Sequence, residues 1–189
     1  MLFRSLKLVA VGDGAVGKTS LLMVLNDKPF PERYVPTIFE NYTQDVEIGG
    51  EPYKLHIWDT AGQDEYDRLR PLSYSGAHAI LLCFALDSKQ SFLNLTERWI
   101  GEVKHFCKDA KIILIGTKSD LRQSGNPNHV SDDEAQAFVQ EQKCADFIPC
   151  SPKSGDGIDK VFPAAAKACN QKKKRGKCLD RRASCRERV

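Results

Sequence analysis

Apolar positions recur along this chain in two alternating periods. Residues 6–11 form a short, nearly continuous apolar run of the kind that makes a buried strand. Residues 43–48 alternate polar with apolar and residues 53–58 do so more loosely, so Gly49-Gly50 between them predicts a hairpin turn. Residues 79–86 and 111–116 are continuous apolar runs, as expected for strands covered on both faces, and residues 147–150 predict a last short strand. Helical periods lie between these segments. Residues 18–25 follow a glycine-rich loop, and residues 92–106 set Phe92, Leu95, Trp99, Val103 and Phe106 at spacings of three and four. Residues 131–140 open on Ser131 with Glu134 three positions on, a capping signature. Residues 158–169 predict the last helix, whose Pro163 demands a late or kinked start because proline is costly deep inside a helix. The alternation predicts an α/β fold: a mostly parallel six-stranded sheet with one antiparallel edge strand and helices on both faces.

A chain of 189 residues with 41% apolar content suits one domain with a sizeable core. Charge divides it. Residues 171–189 hold nine Lys/Arg against two Asp/Glu, a net of +7, so the rest of a chain whose total is +3 sums to −4. We therefore expect a domain over 1–170 and a basic, flexible tail over 171–189. A basic tail on an acidic body points to an anionic partner for the tail alone, either a membrane surface or nucleic acid. Seven cysteines without a CxxC pair give no disulfide framework and favour a reducing compartment. Cys83, inside an apolar run, reads as a small buried hydrophobe. The four histidines are scattered and read as structural or surface residues. The first residues run straight into a strand-like segment with no long apolar stretch, unlike a secretory signal, and the longest apolar run, eight residues at 79–86, is too short to span a bilayer.

Gly12-Asp13-Gly14-Ala15-Val16-Gly17-Lys18-Thr19 fits the pattern GxxxxGK[ST] between a predicted strand and a predicted helix. Glycines let backbone N–H groups converge on phosphate oxygens, and the helix N-terminus adds partial positive charge. Lys18 reaches the β- and γ-phosphates, and Thr19 offers its hydroxyl to Mg²⁺. The pattern arises by chance in a chain of this length less than about once in a hundred times. The expected nucleotide contacts run from Gly14 through Ala15, Val16, Gly17, Lys18 and Thr19 to Ser20.

A phosphate loop alone does not separate GTPases from ATPases or nucleoside kinases. Three further segments do. Asp59-Thr60-Ala61-Gly62-Gln63 resembles the DxxGQ segment of Ras-like GTPases, Thr117-Lys118-Ser119-Asp120 their [NT]KxD guanine motif, and Cys150-Ser151-Pro152-Lys153 their Ser-Ala-Lys loop. The chemistry agrees. Asp120 can accept from both N1–H and N2–H₂ of guanine, a pair that adenine lacks, while the Lys118 stem packs along the base. Asp59 can hold Mg²⁺ through water, Gly62 lets a backbone N–H approach the γ-phosphate, and Gln63 is the expected catalytic residue that orients the attacking water.

Residues 34–42 and 66–74, with Glu102-Val103-Lys104-His105-Phe106-Cys107, resemble the Rho family over about residues 4–170. The resemblance implies a P-loop GTPase (G domain) that uses GTP, GDP and Mg²⁺, hydrolyses GTP slowly and switches shape. It further implies that Thr37 ligates Mg²⁺ only with the γ-phosphate present, that Phe30 packs against guanine, and that Tyr34 closes over the phosphates. Gly14 sits where a side chain would crowd Gln63 and an incoming arginine finger. Exchange factors, GTPase-activating proteins and effectors are implied at segments 30–42 and 60–76, in cytoskeletal and membrane signalling.

The chain departs from the family in three places. Only residues 121–130 separate Asp120 from the Ser131 cap, and Gly125, Asn126 and Pro127 among them predict a plain loop where Rho proteins carry an extra helix. Pro152 replaces the Ala whose N–H reaches guanine O6, and proline has no N–H. Either the base is held more weakly, or the Lys153 N–H or a water takes over. The third departure is the tail, where Cys178-Leu179 looks like the start of a prenylation end, yet ten residues follow and Cys185 stands one residue too far from the terminus for CaaX. A native end and read-through past a short natural end both fit, and the reading favours the altered end. Location is expected to be cytoplasmic, at the inner face of the plasma membrane if Cys178 is lipidated.

Other classes fit less well. A relative locked in one state would have lost Gly14 or Gln63. A kinase or ATPase would lack Asp120 and carry a lid. A nucleic-acid binder would interleave aromatics in the tail, and none is present, so a membrane is the expected partner and nucleic acid is not.

Overall fold

The computed structural model describes residues 4–33, 36–37 and 39–170. Six strands form one sheet: β1 (Arg4–Val11), β2 (Phe39–Ile48), β3 (Glu51–Thr60), β4 (Ala79–Ala85), β5 (Lys111–Thr117) and β6 (Asp146–Pro149). Their order is β2-β3-β1-β4-β5-β6. All neighbours are parallel except β2 and β3, which run antiparallel at the edge. Gly49 and Gly50 both adopt positive φ, 62° and 79°, as a two-residue hairpin of the primed type requires. This is the expected sheet. The two hairpin strands are longer than their alternating cores because backbone pairing extends from Phe39↔Thr60 to Ile48↔Glu51.

The continuous apolar runs follow from burial on both faces. On one face Leu8, Ala10, Leu81 and Cys83 pack against Leu21 and Leu22 of α1 (Lys18–Leu25) and Ala165 of α5 (Val161–Asn170). On the other, Val9, Val11, Leu82 and Phe84 meet Leu95, Trp99 and Phe138. That second layer comprises α2 (Lys89–Asn94), α3 (Ile100–Phe106) and α4 (Asp132–Gln142). The expected helix over 92–106 thus begins earlier, at Lys89, where Ser88 caps it by accepting from the Ser91 N–H. A π-helical turn, Leu95–Trp99, joins α2 to α3. The wider turn, invisible to a three-and-four count, leaves both Leu95 and Trp99 fully buried.

Ser131 and Glu134 close the expected capping box at α4. Pro163 is the third residue of α5, within the first turn, where its missing N–H has no helical acceptor to lose. Residues 121–130 contain no helix beyond the end of a 3₁₀ turn, Ser119–Leu121, so the expected plain loop is present. Cys83 is fully buried, and burial drives its thiol well above the usual range. Among the described residues no helix is long and apolar enough to cross a membrane. Tail residues 171–189 lie outside the described residues, as do Tyr34, Val35 and Ile38 of the first expected switch segment.

Strands on either side of β1 are reached by connections running in opposite directions, first to β3 and then to β4. Ligands of open α/β sheets bind at such a reversal, beyond the carboxyl ends of the strands. The loop after β1 stands there.

Candidate functional site

The loop between β1 and α1 closes on itself. Gly12 has φ 144°, and a Cβ there would lie 2.1 Å from the Cys83 carbonyl oxygen, so only glycine fits against β4. Gly17, with φ 95°, caps α1. Lys18 is 6% exposed, and its Nζ donates to the carbonyls of Gly12 at 2.8 Å and Asp13 at 2.7 Å. Burial lowers its pKa, while the nearby acids Asp59 and Asp13 act against the shift. Ala15, Gly17, Thr19 and Ser20 line a cavity of about 580 Å³, together with Gly14 and Lys18. Val16 differs from its neighbours: its side chain is in the core, and its carbonyl accepts from the Thr117 hydroxyl.

Thr37 comes from the segment before β2 and Thr19 from the first turn of α1, yet their hydroxyl oxygens are 2.6 Å apart. Asp59, at the end of β3, is fully buried, and neither carboxylate oxygen has a hydrogen-bond partner among the described residues. Burial pushes its pKa up to about 6, against the pull of Thr19 and Lys18. An unpaired buried carboxylate is expensive, and a cation removes the expense. No group of three or more His, Cys, Asp or Glu is placed to hold a metal ion among the described residues. Two hydroxyls, one carboxylate and phosphate oxygens suit Mg²⁺, a hard ion that keeps several waters. The residues fit the metal.

Gly62 follows one residue after Ala61 on the same wall. A Cβ on Gly62 would fall within 2.4 Å of the Asp13 carbonyl carbon and the Gly12 oxygen, so any side chain would strike the phosphate loop itself. Gln63 lies across from Gly14: a Cβ at Gly14 would meet the Gln63 Cγ at 3.6 Å, ordinary contact. The expected crowding therefore begins with side chains larger than a methyl group.

The base end is built from two stapled loops. Ser119 N–H donates to the Cys150 carbonyl at 3.1 Å, and Ser151 Oγ donates to Asp120 Oδ1 at 2.6 Å. The Ser151 N–H is taken by Asp156 at 2.9 Å. Lys118 adopts the left-handed region at φ 56° and lines the cavity. Phe30, 40% exposed, Asp120, Ser151, Pro152 and Lys153 stand outside the cavity lining, so the cavity covers the phosphate and metal end and stops at Lys118.

Two contributions were not legible in the motifs. Arg33 lines the cavity and has no hydrogen-bond or ion-pair partner among the described residues, which adds a cation to the phosphate end. Thr117, fully buried, donates to the carbonyls of Val16 and, at 3.0 Å, Phe84, which ties β4, β5 and the phosphate loop together. It lies inside the TKSD segment, but its long-range clasp leaves no local signal.

A phosphate loop at the switch point, an orphaned acid beside two hydroxyls, and a strand-end Asp held by a serine define a P-loop nucleotide-binding domain of the G type. The family model described as Ras family matches residues 7–171. The chain is 49% identical over 186 residues to GTP-binding protein RHO1 of Candida albicans, covering 92% of this chain and 94% of that protein. It is 48% identical over 177 residues to GTP-binding protein rho1 of Schizosaccharomyces pombe, covering 89% and 88%. Human Rho-related GTP-binding protein RhoB is 46% identical over 176 residues, covering 88% and 90%. The chain belongs to the Ras family, on its Rho branch, and so to the small GTP-hydrolysing switch proteins.

Proposed function

We propose that the cavity takes the phosphates and Mg²⁺ of GTP or GDP and that the TKSD and CSPK loops take guanine. The Asp59 carboxylate, without a hydrogen-bond partner among the described residues, carries this reading, because Lys18 acts on it only through its charge and spends its Nζ on the Gly12 and Asp13 carbonyls. Thr19, Thr37 and, through water, Asp59 would hold the metal. When bound, the ion would supply positive charge that neutralises the phosphate oxygens. Lys18 holds the same oxygens, and the N–H groups of Gly14 to Ser20 and of Gly62 surround the phosphates. Gln63 orients a water in line with the γ-phosphorus. The water oxygen bonds to phosphorus, the bond to the β–γ bridging oxygen breaks, and GDP and phosphate leave. Once the γ-phosphate has left, Thr37 would no longer be drawn to the metal site, which would free the segment before β2. The direct test is nucleotide release from the purified protein: GDP or GTP supports the reading, and ADP or ATP overturns it.

The same segments, about 30–42 and 60–76, are the proposed docking surface for exchange factors, GTPase-activating proteins and effectors. Leu69 and Leu72, 57% and 73% exposed, supply apolar contact there. The protein acts in the cytoplasm in cytoskeletal and membrane signalling, and Phe30 and Tyr34 cover the nucleotide. Its tail binds anionic lipid at about 1 kcal/mol per Lys/Arg near the surface, weakening with salt, while stable anchoring needs a lipid on Cys178 as a second signal. Deleting residues 171–189 should remove most binding to phosphatidylserine vesicles at low salt; unchanged co-sedimentation would rule the tail out.

Pro152 is the departure at the base. The backbone N–H of Lys153 has no acceptor among the described residues and stands next in the loop, so it is available to guanine O6. Pro152→Ala should therefore change GDP dissociation, at fixed Mg²⁺, by less than about threefold. A lost hydrogen bond is worth ~0.5–1.5 kcal/mol, and one left unpaired in a buried site costs more. A tenfold slowing would show that Pro152 weakens the guanine grip.

A further inference from the structure

Trp99, in the π-helical turn, connects two parts of the site that share no strand. Its indole N–H donates to Asp13 Oδ1 at 2.7 Å, and Asn94 Nδ2 donates to the other carboxylate oxygen at 2.6 Å. Asp13 belongs to the phosphate loop, and its own carbonyl accepts from Lys18. Over the ring of the same indole lie two guanidinium groups, Arg70 at 4.5 Å and Arg98 at 4.6 Å. Neither arginine is an idle surface charge. Arg70, 3% exposed, donates to the Ala61 carbonyl at 2.8 Å and to Glu102 at 2.7 Å. Arg98 donates to Asp64 and Asp67, each at 2.5 Å. The chain on either side of Gly62-Gln63 is thus held at Ala61 by one arginine and at Asp64 by the other, and both rest on Trp99.

We propose that Trp99 is a positioning residue: its N–H anchors the phosphate loop through Asp13 while its ring seats Arg70 and Arg98, so that it sets Gln63 against the phosphates. The buried ring could serve the core alone, as Leu95 does. A core role needs neither the indole N–H nor two cations on the ring, whereas both are present and both end on residues flanking the site. A Phe in its place keeps most of the apolar area and a weaker platform for the cations but has no N–H for Asp13. Asp13 and Arg98 share no hydrogen bond or ion pair, and Trp99 contacts both, so its indole offers a direct route of coupling between them.

The proposal rests on hydrolysis at Gln63, and the test separates the two. In single-turnover GTP hydrolysis, Trp99→Phe and Arg98→Ala should each lower the rate about tenfold with GDP affinity changed less than threefold. The double variant Asp13→Ala/Arg98→Ala should fall short of the product of its single effects by more than threefold, since contacting networks are non-additive where separate sites are additive. Effects that multiply within twofold overturn the coupling, even with hydrolysis intact. A second readout needs no hydrolysis. The chain has two tryptophans, so in a Trp58→Phe background Trp99 is the sole emitter. Its emission in the GDP-bound protein should shift on Arg98→Ala and again on Asp13→Ala. An emission indifferent to both substitutions would leave Trp99 a core residue and overturn the proposal, whether or not the protein hydrolyses GTP.

Discussion

Replacing Gln63 with Leu should leave GTP and GDP binding within about threefold of the parent and remove nearly all hydrolysis. Leu has similar length and fits the contact with Gly14, where a Cβ would sit 3.6 Å from the side chain, so the loop keeps its shape. What it lacks is the amide that accepts from and donates to the attacking water. Intrinsic turnover in Ras is ~10⁻⁴ s⁻¹ and rises about 10⁵-fold with an activating protein. The largest effect is therefore expected in the stimulated rate, which should collapse towards the unstimulated one. Single-turnover phosphate release with and without an activating domain measures it. A stimulated rate unchanged by Gln63→Leu would remove Gln63 from the mechanism.

Asp59→Asn should have two effects of opposite sign. The carboxylate is fully buried without a hydrogen-bond partner, and burial raises its pKa to about 6, so at neutral pH the metal-free protein carries an expensive charge. An amide of the same shape carries none. The Mg²⁺-free, GDP-bound variant should be more stable than the parent by about 1–3 kcal/mol, or several degrees in Tm. Mg²⁺ affinity should fall about a hundredfold, because the buried carboxylate placed to hold the ion is gone, and GDP release in Mg²⁺ should quicken accordingly. Thermal melts in EDTA and Mg²⁺ titrations of GDP release separate the two. A variant less stable without metal, or one that holds Mg²⁺ as tightly, would show that Asp59 is satisfied by something other than the ion. The acid thus stores instability that metal binding relieves, a common arrangement where function outranks stability.

Much of this protein was readable in its sequence, because the relevant signals are local. Strands buried on both faces must be apolar throughout, and residues 79–86 and 111–116 say so without a partner in view. A phosphate loop needs glycines at fixed offsets, and the hairpin needs two residues at positive φ, which Gly49-Gly50 supplies. Ser131 and Glu134 cap a helix within one turn. The absence of a helix over 121–130 was likewise a matter of local composition. Tertiary structure decided whatever depends on residues far apart in the chain. Trp99 has the spacing of a core residue, and only the fold brings its N–H to Asp13, 86 positions earlier. The π-helical turn escapes a periodicity count because one extra residue shifts the stripe without breaking it. Gly62 reads as a phosphate-contacting glycine, but in the fold the backbone of Asp13 already excludes a side chain there. Asp59 is legible as a metal acid by motif, yet that its carboxylate is buried without a hydrogen-bond partner among the described residues appears only when β3 is set beside β1 and the core closes over its end. Local chemistry is written in sequence because it acts within a turn or a strand. Desolvation and long-range contacts are not, because they belong to the surfaces that folding brings together.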